Sequence, residues 1–192
     1  GKTVEILEIF LRKIFKNKKT GVTVLAFLII GGTFYATFLI VQLSTTFNFY
    51  FGVGISIFLI YTSLSIKDLK VESLEVYWAL RKNDLVKARK KLSMIVGRDT
   101  ENLNEGEIIR ATVETIAESI VDGIISPLFY ALIGGPVLAL TYKSINTLDS
   151  MVGYNNEKYK NFGWCSAKID TIANFIPAIL SIFLIPLASL FC

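Results

Sequence analysis

The sequence contains no histidine and only two cysteines, Cys165 and Cys192. Without imidazole there is no Ser-His-Asp or Cys-His catalysis, no histidine metal ligand and no histidine pH switch. Two thiols build neither a four-thiolate zinc site nor a disulfide framework. Charge is scarce as well: 19% of the 192 residues are Asp, Glu, Lys or Arg and 53% are apolar, against about 25% and 45–50% in soluble domains. With a mean hydropathy of +0.54, lipid rather than water is the expected surrounding. The net charge of +4 is local, because Lys2, Arg12, Lys13, Lys16, Lys18 and Lys19 against Glu5 and Glu8 account for all of it. A basic excess confined to one short segment, not spread with aromatics along a groove-sized face, argues against nucleic-acid binding. No GxxxxGK[ST] or GxGxxG phosphate loop occurs.

What is present is a series of long uncharged runs. From Thr20 to Ile66 there is no Asp, Glu, Lys or Arg, a stretch more than twice the ~20 residues that cross a bilayer. It must fold back, and Ser44-Thr45-Thr46 with Asn48 is the expected turn between antiparallel membrane helices over 21–43 and 49–65. Before it, Val4, Leu7, Phe10, Leu11 and Ile14 lie opposite Glu5, Glu8, Arg12 and Lys16, the pattern of an amphipathic helix. Its basic end is expected on the cytoplasmic side by the positive-inside tendency. Residues 67–118 then read as a cytoplasmic helical insert. A helix over 69–80 stops at Asn83-Asp84, a second covers 84–96 with Gly97 as its cap, and Asn104 with Glu107 forms a capping box opening a third helix to about Val121. No convincing strand is found. The expected fold is an all-α integral membrane protein, a multi-helix transmembrane bundle with a cytoplasmic helical insert and a broken or re-entrant apolar segment. Its divisions are 1–66 (amphipathic helix plus transmembrane hairpin), 67–118 (the insert) and 119–192 (a motif-bearing membrane region with a polar loop at 143–170).

Chemistry concentrates after Asn104. Glu114, Glu118 and Asp122 recur at i, i+4 and i+8, with Arg110 one turn earlier. Like charges at this spacing destabilise a helix by a few tenths of a kcal/mol, so the face is either solvated or loaded with a cation. Oxygen ligands without His or Cys suit Mg²⁺, which suits phosphate chemistry. The uncharged run at 123–142 is interrupted by Pro127 and by Gly134-Gly135-Pro136. Each piece of about ten residues rises only ~15 Å, too short to cross alone, so a re-entrant hairpin and a single kinked span are both open. Beyond it, Lys143, Asn146, Thr147, Asp149, Ser150, Tyr154 and Tyr159 crowd donors and acceptors beside a membrane segment, as a ligand-facing loop would, although turns share that composition.

The strings ETIAESIVDGIISPLF (114–129), YKSINTLDSMVGY (142–154), YKNFGW (159–164) and AKIDTIANFIPA (167–178) resemble the core of the cobalamin-biosynthesis CobD/CbiB family, the adenosylcobinamide-phosphate synthases. The resemblance implies a multi-pass cell-membrane ligase that joins aminopropanol, or its phosphate, to a corrin propionate of adenosylcobyric acid. ATP is the expected co-substrate, Mg²⁺ the expected ion, and the active site is expected to face the cytoplasm. Glu114, Glu118, Asp122, Lys143, Asn146, Thr147, Asp149, Ser150, Tyr154, Asp170 and Asn174 match the family's polar positions. On that resemblance Glu114, Glu118, Asp122, Lys143 and Asp149 are the catalytic candidates, and Glu118, Asp122 and Asp149 hold metal. Lys143 and Arg98 meet phosphate, Asn146 and Asn174 orient substrate amides, and Thr147, Ser150, Tyr154 and Asp170 complete the substrate contacts. Partners are the corrinoid, the amino alcohol and membrane lipid, with self-association into a homo-oligomer left open. The resemblance also tips 123–142 toward a hairpin that returns to the cytoplasmic side, since motifs flank it on both sides. The chain departs from the family pattern at Ser119, where Asn is usual, at Thr171, where a second Asp is usual, and at Ile179, where Arg is usual. Family members are longer on both sides, so the chain is expected to be a fragment. Two other classes fit less of the chain: a metal-dependent membrane phosphotransferase, hinted at by Asp122-Gly123, and a transport or scaffold subunit with Asp122 and Lys143 flanking an ion path.

Overall fold

A computed structural model describes residues 18–97, 99–152 and 164–191. The amphipathic segment expected before the first span, together with Arg98 and Tyr154, lies outside the described residues. The described residues are helical, with no strand among them, as expected for an all-α membrane protein. In chain order they form α1 (Lys18–Phe47), α2 (Phe49–Ser63), α3 (Ile66–Arg81), α4 (Leu85–Leu92), α5 (Glu105–Ile120), a π-helical turn (Val121–Ile125), α6 (Ser126–Val152) and α7 (Trp164–Ser189). Three apolar helical stretches are long enough to cross a membrane: Ala26–Phe47, Glu105–Ser150 and Cys165–Ser189. The helices divide into two compact units, 1–63 with 125–192, and Leu64–Ile124.

In the first unit α1, α2 and α7 gather around α6. Little of this surface is polar: Phe47 is 83%, Leu132 87% and Phe183 70% exposed, the arrangement expected where lipid is the solvent. The corner between α1 and α2 is tighter than the expected polar turn. Ser44, Thr45 and Thr46 stay helical because their hydroxyls donate back to the carbonyls of Ile40, Val41 and Gln42. Asn48 alone breaks the helix, its side chain accepting from the Phe51 N–H at 3.2 Å. Gly52 fits there because a Cβ would stand 2.8 Å from the Thr45 Cα. The second expected span is shorter than a crossing, since α2 has 15 residues and rises only ~22 Å.

The break at 123–142 is a helical hairpin. Gly134 (φ −142°, ψ 25°) and Gly135 (φ 60°, ψ −153°) leave helical geometry inside α6, and Gly135 occupies a region that L side chains rarely adopt. Two arms result, 126–133 and 136–152. The Tyr130 and Tyr142 rings stack at 5.1 Å with an interplanar angle of 13°. Twelve residues of continuous helix would hold them ~18 Å apart, so the chain reverses between them. The first arm is only ~12 Å long.

In the second unit Val76, Ala79, Ala88, Leu92, Ile108 and Ala111 form the core joining α3, α4 and α5. Asn83 (φ 55°) separates α3 from α4, and the Asp84 side chain caps α4 by accepting from the Lys87 N–H. Helix α4 ends at Leu92, capped by Ser93 and followed by tight turns, rather than running on to Gly97. The capping box is present, with Asn104 Oδ1 accepting from Glu107 N at 2.9 Å and Glu107 Oε2 from Asn104 N at 2.7 Å.

Candidate functional site

Two prolines expose backbone carbonyls, and each is met by a distant donor. Pro177 has no N–H to offer the carbonyl four residues earlier, and the Tyr130 hydroxyl donates to that carbonyl, Ala173 O, at 3.0 Å. Pro127 likewise leaves Gly123 O, which accepts from the Ser65 N–H at 3.0 Å. Gly123 packs closely there, since a Cβ would stand 3.3 Å from the Ser65 Cβ and the neighbour would have to give by a few tenths of an ångström. The first of these contacts draws the hairpin onto α7 and places Asn174 between its arms.

Asn174 is the centre of a polar cluster inside the bundle. Its Oδ1 accepts from Ser126 Oγ on the first arm and from the Tyr142 hydroxyl on the second, each at 2.7 Å. Its Nδ2 donates to Asp170 Oδ2 at 3.0 Å. Ser126 is 0% and Tyr142 1% exposed, so this network is closed to solvent at its base. The second arm runs antiparallel to α7: Tyr142 meets Asn174, and farther on Asn146 hydrogen-bonds to Asp170. Tyr142, Asn146 and Asp149 fall at i, i+4 and i+7, one face of a helix. Asp149 thereby falls on the face of the second arm that meets α7 around Asp170 and Asn174. One oxygen of each, Asp149 Oδ1 and Asp170 Oδ1, is buried without a hydrogen-bond partner. Buried acceptors without donors are unusual in a folded protein.

The expected site residues are thus divided. Asn146, Asp149, Asp170 and Asn174 come together. Thr147 is half-buried on the same arm, as is Lys143, while Ser150 is exposed and its hydroxyl donates to the Asn146 carbonyl at 2.9 Å. Much of the expected polar loop at 143–170 is therefore helix, the second arm continuing to Val152 and α7 beginning at Trp164. Glu114, Glu118 and Asp122 belong to the other unit. Glu114 is exposed and accepts from Arg110 Nε at 3.1 Å, and Glu118 is exposed on the same helix. Asp122 sits in the π-helical turn, so the three acids do not share one regular α-helical face. Among the described residues no group of three or more His, Cys, Asp or Glu is arranged to hold a metal ion. The Asn174 amide makes its hydrogen bonds to Ser126, Tyr142 and Asp170. Of the departures from the family pattern, Thr171 spends its hydroxyl on the Ala167 carbonyl at 2.7 Å, and Ile179 is 44% exposed. Ser126, Tyr130 and Tyr142 were not among the expected site residues. Their sequence signals are the proline four residues after Ala173 and the i, i+4, i+7 face.

The whole chain, residues 1–192, matches the family model described as CobD/Cbib protein. The cobalamin biosynthesis protein CobD of Clostridium perfringens is 51% identical over 190 residues, which is 98% of this chain and 60% of that protein. CobD of Leptospira interrogans (serovar copenhageni) is 47% identical over 191 residues, 100% of this chain and 61% of its own length. The cobalamin biosynthesis protein CbiB of Salmonella typhimurium is 44% identical over 177 residues, 92% of this chain and 56% of its own length. The chain spans about three fifths of the length of these curated relatives. No solved structure matches it. On the family match along its full length and the identity to these relatives, the chain belongs to the CobD/CbiB family.

Proposed function

We propose that the chain serves cobalamin biosynthesis as part of a membrane-bound ligase, forming an amide bond between adenosylcobyric acid and aminopropanol or its phosphate to give adenosylcobinamide or its phosphate. The observation that carries this reading is the Asp149–Asp170 pair, two buried carboxylate oxygens without donors, in a chain whose relatives are named for cobalamin biosynthesis. Hard divalent cations take oxygen ligands, and Mg²⁺ is commonly held by one or two carboxylates together with substrate phosphates. The residues present fit such an ion, held by Asp149 and Asp170. When bound it supplies charge neutralisation at phosphate oxygens.

Joining a carboxylate to an amine expels the elements of water and is uphill unless the carboxylate is activated. ATP is the proposed co-substrate. Its terminal phosphoryl group goes to the corrin carboxylate oxygen with release of ADP, and the amine nitrogen then displaces phosphate as the amide forms. In this scheme Lys143, one turn before Asn146 on the second arm, meets phosphate as a donor. Asn146 and Asn174 hold the Asp170 carboxylate, and the stacked Tyr130 and Tyr142 rings close the apolar side of the cluster. The basic run preceding α1 favours a site on the cytoplasmic face of a cell membrane.

The test incubates membranes carrying the protein with adenosylcobyric acid, aminopropanol phosphate and MgATP. The expected product is heavier than the corrinoid substrate by the aminopropanol phosphate unit less water. Asp149→Asn abolishes that product. A folded, membrane-embedded wild-type protein that yields no such mass overturns the reading.

A further inference from the structure

The Asn174 amide makes three hydrogen bonds, all to other side chains of this chain. An ionised carboxylate only accepts, so the amide nitrogen must face Asp170 and the amide oxygen must face the Ser126 and Tyr142 hydroxyls. The consequence falls on Asp170. One of its oxygens is occupied by Asn174 Nδ2 at 3.0 Å, and the other is buried without a partner, as is Asp149 Oδ1. Ser126 and Tyr142 come from opposite arms of the hairpin, so the amide is oriented only when the arms are closed against each other and against α7.

We propose that Asn174 is a positioning residue that presents Asp170 Oδ1 to a divalent cation shared with Asp149, and that Ser126 and Tyr142 set its orientation, so that closing the hairpin and preparing the carboxylate are one event. This rests on the cation reading of the Asp149–Asp170 pair given above. It assigns Asn174 to the carboxylate and takes it away from the substrate. Because binding and closure are linked, an ion that binds the prepared pair must in turn stabilise the closed hairpin.

The test uses the purified full chain in lipid nanodiscs with Mn²⁺ as a probe visible by electron paramagnetic resonance. Removing a partner that orients a metal ligand typically weakens metal binding about 10–100-fold. Tyr142→Phe and Asn174→Leu are expected to weaken Mn²⁺ binding by about tenfold or more, and the rise in Tm that Mn²⁺ gives the wild type is expected to shrink in both. Thr141→Val is the structural control, since that hydroxyl on the second arm returns to the Val137 carbonyl of its own helix; it is expected to keep wild-type Mn²⁺ affinity. If Asn174→Leu does not fold, Tyr142→Phe and Ser126→Ala, each lacking one hydroxyl, carry the comparison. Unchanged Mn²⁺ affinity in these variants beside a binding wild type overturns the positioning role and leaves the cation reading standing. An equal loss in Thr141→Val also overturns it, by reducing the effect to general loosening of the hairpin. A wild type that binds no Mn²⁺ overturns both.

Discussion

Asp149 places an acceptor without a donor beside a second acid, an arrangement that stability alone does not favour. Replacing that oxygen by an amide gives the pair a donor and removes a charge. Asp149→Asn is therefore expected to leave the fold intact, with a gain on the order of 1 kcal/mol, while corrinoid ligation is lost. Thermal unfolding in detergent, run beside the ligation assay, checks both halves, and a variant that is destabilised as well as inactive would recast Asp149 as structural. Asn146, Asp149, Asp170 and Asn174 were legible as residues, through their match to the family's polar positions. Their wiring was not. The Ser126 and Tyr142 hydroxyls meet Asn174 across 48 and 32 positions of sequence, and nothing in a local pattern announces a partner that only a chain reversal brings near.

At the scale of elements, the hairpin depends on Gly135. Nothing lies within 4 Å of the position a Cβ would take there, so the need for glycine is purely one of backbone conformation. Gly135→Ala should cost about 1–3 kcal/mol through the strained φ/ψ region alone. Gly31→Ala in α1, equally open, should by contrast be neutral or stabilising by up to ~1 kcal/mol. Paired unfolding curves in one detergent check the contrast, and equal effects would remove the conformational argument. The Gly-Gly-Pro triplet made this break visible in the sequence, as Asn104 and Glu107 did the start of α5. The π-helical turn at Val121–Ile125 was not visible, because one extra residue in a helix leaves no periodic trace over so short a run. It is why Asp122 cannot be read on one regular face with Glu114 and Glu118. The second arm read as a loop because its serines, threonine and asparagine are turn formers by composition. In the structure Ser144 and Ser150 return their hydroxyls to helix carbonyls, which lets polar residues continue a helix.

For the whole molecule the class was set by composition, since too little charge and too many long apolar runs leave lipid as the only consistent solvent. The outer faces of α1 and α7 bear this out with large exposed apolar residues such as Phe27 and Phe183. Washing membranes with alkaline carbonate should leave the chain in the pellet, with detergent needed to release it. Recovery in the carbonate supernatant would mean that these faces meet protein, not lipid. The unit Leu64–Ile124 has a core and caps of its own, and its charged helices were legible by the same alternation of apolar and polar positions that fails within the apolar bundle.

The returning hairpin also bears on a question of parity. Ser126 and Tyr142 reach the same side-chain oxygen, so the segment between them leaves and returns at one level of the bundle. A segment that reverses in this way need not add a crossing of its own. Lengthening or shortening its tip across related chains would change how deep it reaches without inverting the sidedness of any helix that follows.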